Sequence, residues 1–380
     1  MQVLDSLKII QIGLLATGLA CSPAVFAKKS NFDNIVVFGS SLSDSGNAFT
    51  LIKNAVDLGY GQCNLGEPLN VPPYDQMDKL QIMDDFYELL VPDGVYARGG
   101  HHVTNGATWI EQFARGQGLS GNVRPALLSY SIQANNYAVG GARARPVTEE
   151  TPADDVIRCR FNLSDQVNAY LADHQIDASH PISEKTLFTI EIGGNDVRDA
   201  LDVLLNTQDE PESAAKALIG QAITQIALAI QSLHSLGAEN FLLVNVPNIA
   251  RTPTVRLLNG LYTPPPTPEE LTIAYNANLL SVGFNEALSV LQAQFNALYD
   301  IKIRTLDLYG LLEEIIYDRE SNDSNLFGII NVTDACIKPN KPPFTCKKPG
   351  TYLFWDGIHP TETVHGFIAQ RAMNALENSD

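Results

Sequence analysis

The sequence predicts an α/β fold in which a mostly parallel sheet forms the centre of a single domain. The chain has 380 residues, of which 45% are hydrophobic and 18% are charged, so it is long and apolar enough to bury a large core. Five short apolar runs have the length of buried strands. Segments of helical periodicity lie between these runs, and strands that alternate with helices are typical of parallel sheets.

The predicted strands are apolar along most of their length, as expected where both faces of a strand are covered. They lie over residues 34–38, 136–139, 187–192, 241–246 and 301–306. Apolar residues at helical spacing predict one helix over residues 218–233, which Gly237 ends, and a second over residues 275–291. A last helix is predicted to begin near Pro360.

Two irregular stretches rich in turn-forming residues interrupt this alternation, over about residues 59–106 and 259–268. Loops of this length in a compact domain are either walls and lids of a functional site or packed surface excursions. The sequence has no internal repeat of fixed period and no heptad run, which excludes solenoids and coiled coils.

The first 27 residues have the layout of a secretory signal peptide. Lys8 precedes a short apolar run, and small residues then lead to a cleavage site after Ala27. The run is too short to span a bilayer comfortably, which disfavours a membrane anchor, and the residues before Cys21 are a poor signal for lipid attachment. We therefore expect a secreted or periplasmic protein whose single domain occupies residues 28–380, with the two insertions.

Four cysteines follow the predicted cleavage site, namely Cys63, Cys159, Cys336 and Cys346. An even number in an oxidising compartment predicts two disulfides, for which three connectivities exist. Cys336 and Cys346 would close a short loop, which leaves Cys63 to pair with Cys159. The alternative is four free thiols, and the spacing matches no zinc-binding pattern.

The chain carries a formal net charge of −18, with 25 Lys and Arg against 43 Asp and Glu. This balance argues against nucleic acid as a partner, because no basic face can neutralise phosphates. It also disfavours purely electrostatic docking on anionic lipid, but it leaves transient contact with a neutral or zwitterionic lipid surface open. The sequence has no glycine loop of the nucleotide-binding form, and we predict no cofactor and no metal.

Residues suited to acyl transfer follow the predicted strands, where ligands of open parallel sheets bind. Ser41 follows the first strand. Asp356 and His359 lie three residues apart, so the carboxylate can reach Nδ1 of the imidazole while Nε2 points outward. Gly140 offers a backbone N–H, and Asn195 offers a side-chain amide, to an oxyanion. Each feature alone is common in turns, but together they fill every role of an activated serine nucleophile.

Four ordered segments resemble the GDSL lipases and acylhydrolases, also called the SGNH hydrolase superfamily. These segments are residues 38–47, 136–142, 192–196 and 356–360. The resemblance extends from about residue 34 to residue 375. It implies a three-layer α/β/α sandwich around a five-stranded, mostly parallel sheet of the flavodoxin-like type.

The resemblance also assigns roles to individual residues. Ser41 matches the nucleophile of the family, Asp356 matches the triad acid, and His359 matches the base. The oxyanion hole is matched by the Ser41 backbone N–H, by Gly140 and by Asn195.

Secreted members of this family are often lipases, phospholipases or lysophospholipases, and some transfer the acyl group to another alcohol. The resemblance therefore implies a secreted serine hydrolase that cleaves carboxylic esters, with lipid esters as the expected substrates and no cofactor. A carbohydrate acetylesterase is the alternative among enzymes. The alternative from another class is a surface-binding protein that keeps the fold with weak catalysis, and turnover of a simple ester distinguishes it.

One position departs from the family pattern. The family usually has an aspartate immediately before the nucleophile, and this chain has Ser40. An aspartate can accept charge-assisted hydrogen bonds within the turn, which a serine replaces only in part. We therefore expect a nucleophile that is held less firmly, so that Ser40→Asp raises kcat. The departure also leaves Ser40 as an alternative to Ser41 as the reactive hydroxyl.

Other polar residues in apolar surroundings have two interpretations each. Glu191, within a predicted strand, is either a buried and partnered carboxylate that supports the site or a strand-end residue near solvent. His101 and His102 have no third metal ligand at helical spacing nearby, which favours surface or pocket histidines. His365, on the last predicted helix, is interpreted as a structural or surface residue.

Overall fold

The computed structural model describes most of the predicted domain. The described residues are 31–49, 96–128, 133–146, 162–207, 209–263, 266–321, 325–338 and 344–377. The predicted signal peptide, Cys63, Cys159 and most of the insertion over residues 59–106 lie outside them.

Four parallel strands form the regular part of the central sheet. They are β1 (Asn34–Gly39), β2 (Thr186–Glu191), β3 (Asn240–Val244) and β4 (Lys302–Leu306), and they lie side by side in that order. Every neighbouring pair is parallel. These strands coincide with four of the five apolar runs, which confirms those predictions.

The remaining predicted strand, residues 136–139, runs beside β1 without a regular ladder. Tyr137 N–H donates to the Val37 carbonyl at 2.8 Å. In a regular parallel ladder, the Gly39 N–H would donate to this segment next. It donates to Gln166 Oε1 at 2.8 Å instead. With this segment on the outer side of β1, the strand order is 2-1-3-4-5, which is the flavodoxin-like order.

The helices of the described residues lie between and after the strands. They are α1 (Ala97–Gly100), α2 (Trp109–Gly116), α3 (Leu163–Asp173), α4 (Gly194–Asn206), α5 (Pro211–Ser235), α6 (Pro253–Tyr262), α7 (Ile273–Leu298), α8 (Leu308–Ser321) and α9 (Glu362–Glu377).

Two hydrophobic cores lie on opposite faces of the sheet, because successive side chains of a strand point to opposite faces. Val36 and Phe38 of β1 pack into one core with side chains of α3, α4, α5 and α7. Ile35 and Val37 pack into the other core with α2, α8 and α9. The fold is therefore a three-layer α/β/α sandwich.

The helix predicted over residues 218–233 is α5, and it ends where the sequence predicts. Pro211 occupies its first turn, and Gly237 follows its end with a φ of +103°. By length and composition α5 could cross a membrane. In the fold, however, a stripe that includes Ile226 and Ile230 is buried in the core beside the sheet, as in an amphipathic helix of a globular domain.

The second predicted helix is α7, and most of its predicted apolar stripe is buried. Leu280, Phe284, Leu288 and Leu291 of that stripe lie in the core, which confirms this part of the prediction. Tyr275 and Leu279 belong to the same stripe, yet they are 40% and 55% exposed. The small residues Ala277 and Ser281, which the pattern of large apolar residues leaves out, are buried.

The insertion predicted over residues 259–268 begins later than expected. Residues 259–262 are the last turn of α6, which starts at Pro253 after a capping residue, Thr252. The Thr252 hydroxyl accepts the Val255 N–H at 3.4 Å. A threonine followed by a proline is a helix start signal, and it carries the helix into the stretch that was predicted to be loop.

A small two-stranded sheet leads the chain to its C-terminal motif. It pairs β5 (Asn331–Ala335) with β6 (Tyr352–Phe354). Cys336 and Cys346 form a disulfide with a Cα–Cα distance of 4.8 Å, as the short loop between them predicts. Ile337 N–H donates to the Trp355 carbonyl at 2.8 Å, so the disulfide loop is bonded to the residue directly before Asp356.

Gly193, between β2 and α4, provides a stability test. Its φ is +122°, and a Cβ there would lie 2.2 Å from the Phe284 ring. We expect Gly193→Ala to lower the free energy of unfolding by about 2 kcal/mol or more, through backbone strain and overpacking. Gly194→Ala is the matched control, since a Cβ at Gly194 meets nothing within 4 Å. Equal unfolding free energies for both variants in urea titrations would contradict this account.

Candidate active site

The turn after β1 carries the predicted nucleophile. Ser40 N–H donates to the Glu191 carbonyl at 2.9 Å, as a last rung between β1 and β2. Ser43 N–H and Asp44 N–H then donate back to the Ser40 carbonyl at 3.1 and 3.0 Å, which closes a tight turn. Ser41 lies within this turn, half-buried, and its own N–H has no hydrogen-bond partner among the described residues.

The structure brings Ser41, His359 and Asp356 into one hydrogen-bonded chain. His359 Nε2 lies 2.8 Å from Ser41 Oγ, and His359 Nδ1 lies 2.7 Å from Asp356 Oδ2. Asp356 is fully buried and His359 is nearly so. This is the geometry in which an imidazole can accept the hydroxyl proton while the carboxylate fixes its tautomer.

Asp356 also builds the turn that presents the imidazole. Its Oδ1 accepts the backbone N–H groups of Ile358 and His359 at 2.9 and 2.7 Å. Its Oδ2 accepts the hydroxyl of Tyr96 at 3.2 Å. Tyr96 is a buried residue that sequence reasoning missed, because no motif marks it.

Asn195 is placed with the triad, and Gly140 is not. Asn195 lines the same cavity as Ser41 and His359, and one of its amide hydrogens is donated to the Ala142 carbonyl at 2.8 Å. Gly140 N–H donates to Asp44 Oδ2 at 2.7 Å. The expectation that Gly140 N–H serves an oxyanion is therefore wrong, because a carboxylate already occupies it.

Asp44 is the reason for this correction. Its buried carboxylate also accepts the N–H groups of Gly46 and Asn47 at 2.7 Å each. Burial raises the pKa of Asp44, and the backbone hydrogen bonds oppose that rise. The sequence signal for this role of Asp44 is its residue type, because an aspartate directly before a turn often accepts the backbone N–H groups of that turn. Gly141, next to Gly140, has a φ of +82°, and its N–H makes no hydrogen bond within the described part of the chain.

A cluster of arginines and aspartates fixes the helix end that carries Asn195. Asp196 is fully buried and accepts the Ala144 N–H and the Arg145 Nε–H, both at 2.9 Å. Asp199 pairs with Arg143 at 2.5 Å and also with Arg145. The start of α4 is thereby bonded to the loop that follows residues 136–139.

Ser40 is held by Glu191, the last residue of β2. Ser40 Oγ donates to Glu191 Oε1 at 3.0 Å, and Ser40 N–H lies 3.2 Å from Oε2. Glu191 is thus a buried, partnered carboxylate. Burial raises its pKa to about 7, against the hydrogen bonds from Ser40 and Ser43 and the charge of His359. The expectation of a loosely held turn is wrong, because the neighbouring strand supplies a carboxylate.

His102 and His365 have structural contacts. His102 is buried, and its Nε2 lies 2.9 Å from Glu111 Oε2. His365 Nδ1 accepts the Trp109 backbone N–H at 3.1 Å, so His365 is a structural residue and not a surface one. Among the described residues, no group of three His, Cys, Asp or Glu side chains could hold a metal ion.

The triad opens into a largely apolar cavity beyond the carboxyl ends of β1, β2 and β3. Ser41, Asn195 and His359 line it together with the charged side chains of Glu191 and Arg198. The apolar part of the wall comprises Leu42, Ile192, Val244, Val246, Pro247, Ile249, Val255 and Ile358. A cavity of this kind can hold an apolar part of a substrate beside the serine hydroxyl.

A parallel α/β/α sandwich with a serine, a histidine and an aspartate at its strand ends has the arrangement of a serine hydrolase. Residues 35–372 match the family model described as GDSL-like Lipase/Acylhydrolase. The chain therefore belongs to the GDSL-like lipase and acylhydrolase family, and it is an ester-hydrolysing enzyme. This confirms the resemblance found in the sequence.

Similar proteins come from plants and bacteria. A GDSL esterase/lipase of Arabidopsis thaliana is 26% identical over 307 residues, which cover 73% of this chain and 77% of the relative. A thermolabile hemolysin of Vibrio parahaemolyticus is 24% identical over 290 residues, 73% of this chain and 56% of the relative. The crystal structure of an extracellular lipase from Streptomyces rimosus aligns with a TM-score of 0.35 at 13% identity, covering 90% of this chain and 99% of that one.

The buried His365 makes the free energy of unfolding depend on pH in the acidic range. Burial is the main cause that lowers its pKa to about 3, and repulsion from His359 and His102 contributes to the same shift. In the unfolded chain the His365 imidazole takes up a proton near pH 6.5, whereas in the folded protein it stays neutral at that pH. The free energy of unfolding therefore falls as the pH drops below 6.5. We expect a loss of about 2 kcal/mol between pH 7 and pH 5 from this residue.

Urea unfolding at pH 7 and pH 5 tests this expectation. His365→Asn can keep an acceptor for the Trp109 N–H but cannot take up a proton, so its stability should fall less over the same interval. His180→Asn, at an exposed histidine, is the control and should behave as the parent protein. An equal loss in the parent and in His365→Asn would rule out this source of acid sensitivity.

Proposed function

We propose that this protein is an exported serine acylhydrolase that cleaves carboxylic esters of lipids. The observation that carries the proposal is the hydrogen-bonded chain from Ser41 through His359 to Asp356, with distances of 2.8 and 2.7 Å, at the base of an apolar cavity. A serine is a weak nucleophile until a base within hydrogen-bond reach removes its proton, and this arrangement supplies that base.

In the acylation step, Ser41 Oγ attacks the ester carbonyl while its proton passes to His359 Nε2. The charge that develops on the imidazole is stabilised by Asp356. Collapse of the tetrahedral intermediate breaks the ester bond, and His359 returns the proton to the departing alcohol. Water then attacks the acyl-enzyme with His359 again as the base, which releases the acid and restores Ser41. A second alcohol in place of water would give acyl transfer.

The oxyanion needs N–H donors that are not already engaged. The backbone N–H of Ser41 meets this condition, and Asn195 has a second amide hydrogen beside the one bonded to Ala142. With Gly140 N–H bonded to Asp44, we assign the third donor to Gly141, whose N–H has no partner among the described residues.

Two further observations support the substrate class and the compartment. The wall of the cavity is mainly aliphatic, which suits the acyl chain of a lipid better than the polar ring of a carbohydrate. The disulfide between Cys336 and Cys346 suits an oxidising compartment, so the protein would act in the periplasm or outside the cell.

The triad is tested by removing its members singly. We expect Ser41→Ala and His359→Ala each to reduce turnover of p-nitrophenyl butyrate by several powers of ten, because the members act as a unit. Ser235→Ala and His180→Ala, at exposed positions, are the matched controls. Retention of more than about a tenth of the parent rate in a folded His359→Ala protein would remove His359 as the base.

The acyl-binding role of the cavity is tested by narrowing it. Val255 on α6 lines the cavity and is buried, so Val255→Trp should fill space that a long acyl chain needs. We expect kcat/KM to fall at least about tenfold for p-nitrophenyl palmitate and to change little for the acetate ester, because burial of an acyl chain contributes about 0.8 kcal/mol per CH₂.

Leu257→Trp is the control for this experiment, since Leu257 lies on the same helix and is 45% exposed. Equal losses for the long and the short ester in Val255→Trp would show that the cavity does not bind the acyl chain. A panel of acetylated sugars measured beside the lipid esters decides between the lipid and carbohydrate substrates.

A further inference from the structure

Glu191 occupies an unusual place for a carboxylate. It ends β2, and its backbone is paired in register with Gly39, the last residue of β1. Its side chain is only 6% exposed and lines the catalytic cavity beside Ser40 and Ser41. Among the described residues, no lysine or arginine forms a salt bridge with it. A buried carboxylate without a cation is costly, so its retention calls for a specific role.

Both oxygens of Glu191 bind the residue that precedes the nucleophile. Oε1 accepts the Ser40 hydroxyl at 3.0 Å, and Oε2 lies 3.2 Å from the Ser40 N–H. The Ser43 side chain, two residues beyond Ser41, approaches the same place, since a Cβ at Gly39 would lie 3.3 Å from Ser43 Cβ and 3.2 Å from Oε2. The carboxylate therefore holds the nucleophile turn directly before Ser41.

The local sequence makes room for this arrangement. A Cβ at Gly39 would lie 2.6 Å from the Glu191 carbonyl oxygen and 3.2 Å from Oε2, so a side chain at position 39 would displace Glu191. Trp109 Nε1 donates to Ser43 Oγ at 2.9 Å, which holds that side chain in the turn after Ser41. Gly39 and Ser40 thus both fit a carboxylate that enters from the neighbouring strand.

We propose that Glu191 is a positioning residue for the reaction. It holds Ser40, and through Ser40 it fixes the hydroxyl and the backbone N–H of Ser41 relative to His359. It thereby supplies from β2 the carboxylate that the family usually carries at position 40. The inference rests on the proposed function, in which Ser41 is the nucleophile.

The chemistry of the two donors explains why a carboxylate is required. The Ser40 N–H already donates to the Glu191 backbone carbonyl at 2.9 Å, so the donor that depends on the side chain is the Ser40 hydroxyl, 3.0 Å from Oε1. A glutamine at position 191 can accept that hydroxyl through its one oxygen, but its NH₂ group then stands where Oε2 faces the Ser40 N–H at 3.2 Å, so a donor faces a donor. An aspartate at position 40 beside Glu191 would place two carboxylates in one buried site, where they repel each other.

The test measures the reactivity of Ser41 in two ways. One is the second-order rate of labelling by a fluorophosphonate, and the other is kcat and KM for p-nitrophenyl butyrate. We expect Glu191→Gln to lower both the labelling rate and kcat by about 10- to 100-fold, with KM nearly unchanged, because small misplacements of a nucleophile are costly. Glu184→Gln, at an exposed glutamate shortly before β2 begins, is the control.

Two variants that move the carboxylate from position 191 to position 40 distinguish a positioning role from simple support of the fold. Ser40→Asp alone should lower the labelling rate, whereas Ser40→Asp with Glu191→Ala should label at least about tenfold faster than Glu191→Ala alone, because the carboxylate is then restored from within the turn. A residue that only stabilises the fold would change the unfolding temperature in these variants without this rescue.

The outcomes distinguish this inference from the proposed function. If the parent protein is not labelled, or if Ser41→Ala is labelled equally, Ser41 is not the nucleophile and the proposed function fails. If labelling requires Ser41 but Glu191→Gln reacts at the parent rate, the function stands and the positioning role is overturned. If the Glu191 variants do not fold, Ser40→Asp alone decides, since an unchanged or increased labelling rate there would overturn the proposal.

Discussion

Buried carboxylates beyond the strand ends are the feature on which the whole site depends. The chain turns sharply after each strand, and the backbone N–H groups exposed in these turns need acceptors once water is excluded. Asp44 accepts such groups after β1, Asp196 accepts them beside α4, and Asp356 accepts them in the turn before α9. Each of these carboxylates thereby fixes one segment that carries a functional group.

These carboxylates also join segments that are distant in sequence. Asp44 bonds the nucleophile turn to Gly140, and Asp196 bonds the following loop to the helix that carries Asn195. Their burial raises the pKa of both residues, against the N–H groups and the arginine that favour the charged form. Removal of one partner from such a carboxylate leaves an uncompensated buried charge. We therefore expect the loss of one of these contacts to disturb both of the loops that it joins.

The sequence located the regular strands and the Asp356–His359 pair well, because both depend on local patterns. Apolar runs give the strands, and the three-residue spacing of Asp356 and His359 allows the short bond of 2.7 Å between them. Two positions of the buried stripe of α7 and the start of the second insertion were misplaced. In both cases small residues or a capping threonine, rather than large apolar ones, decide the local structure.

The sequence by itself determined the order of the elements, the apolar core and the residues that can carry the chemistry, because periodicity and residue type are local properties. Only the tertiary structure decided which N–H groups remain free for an oxyanion and which residue holds the nucleophile turn. Gly140 lies 96 residues from Asp44, and Ser40 lies 151 residues from Glu191. No local pattern predicts such pairs, since they depend on the parallel register of β1 and β2 and on how the loops pack beyond the ends of the strands.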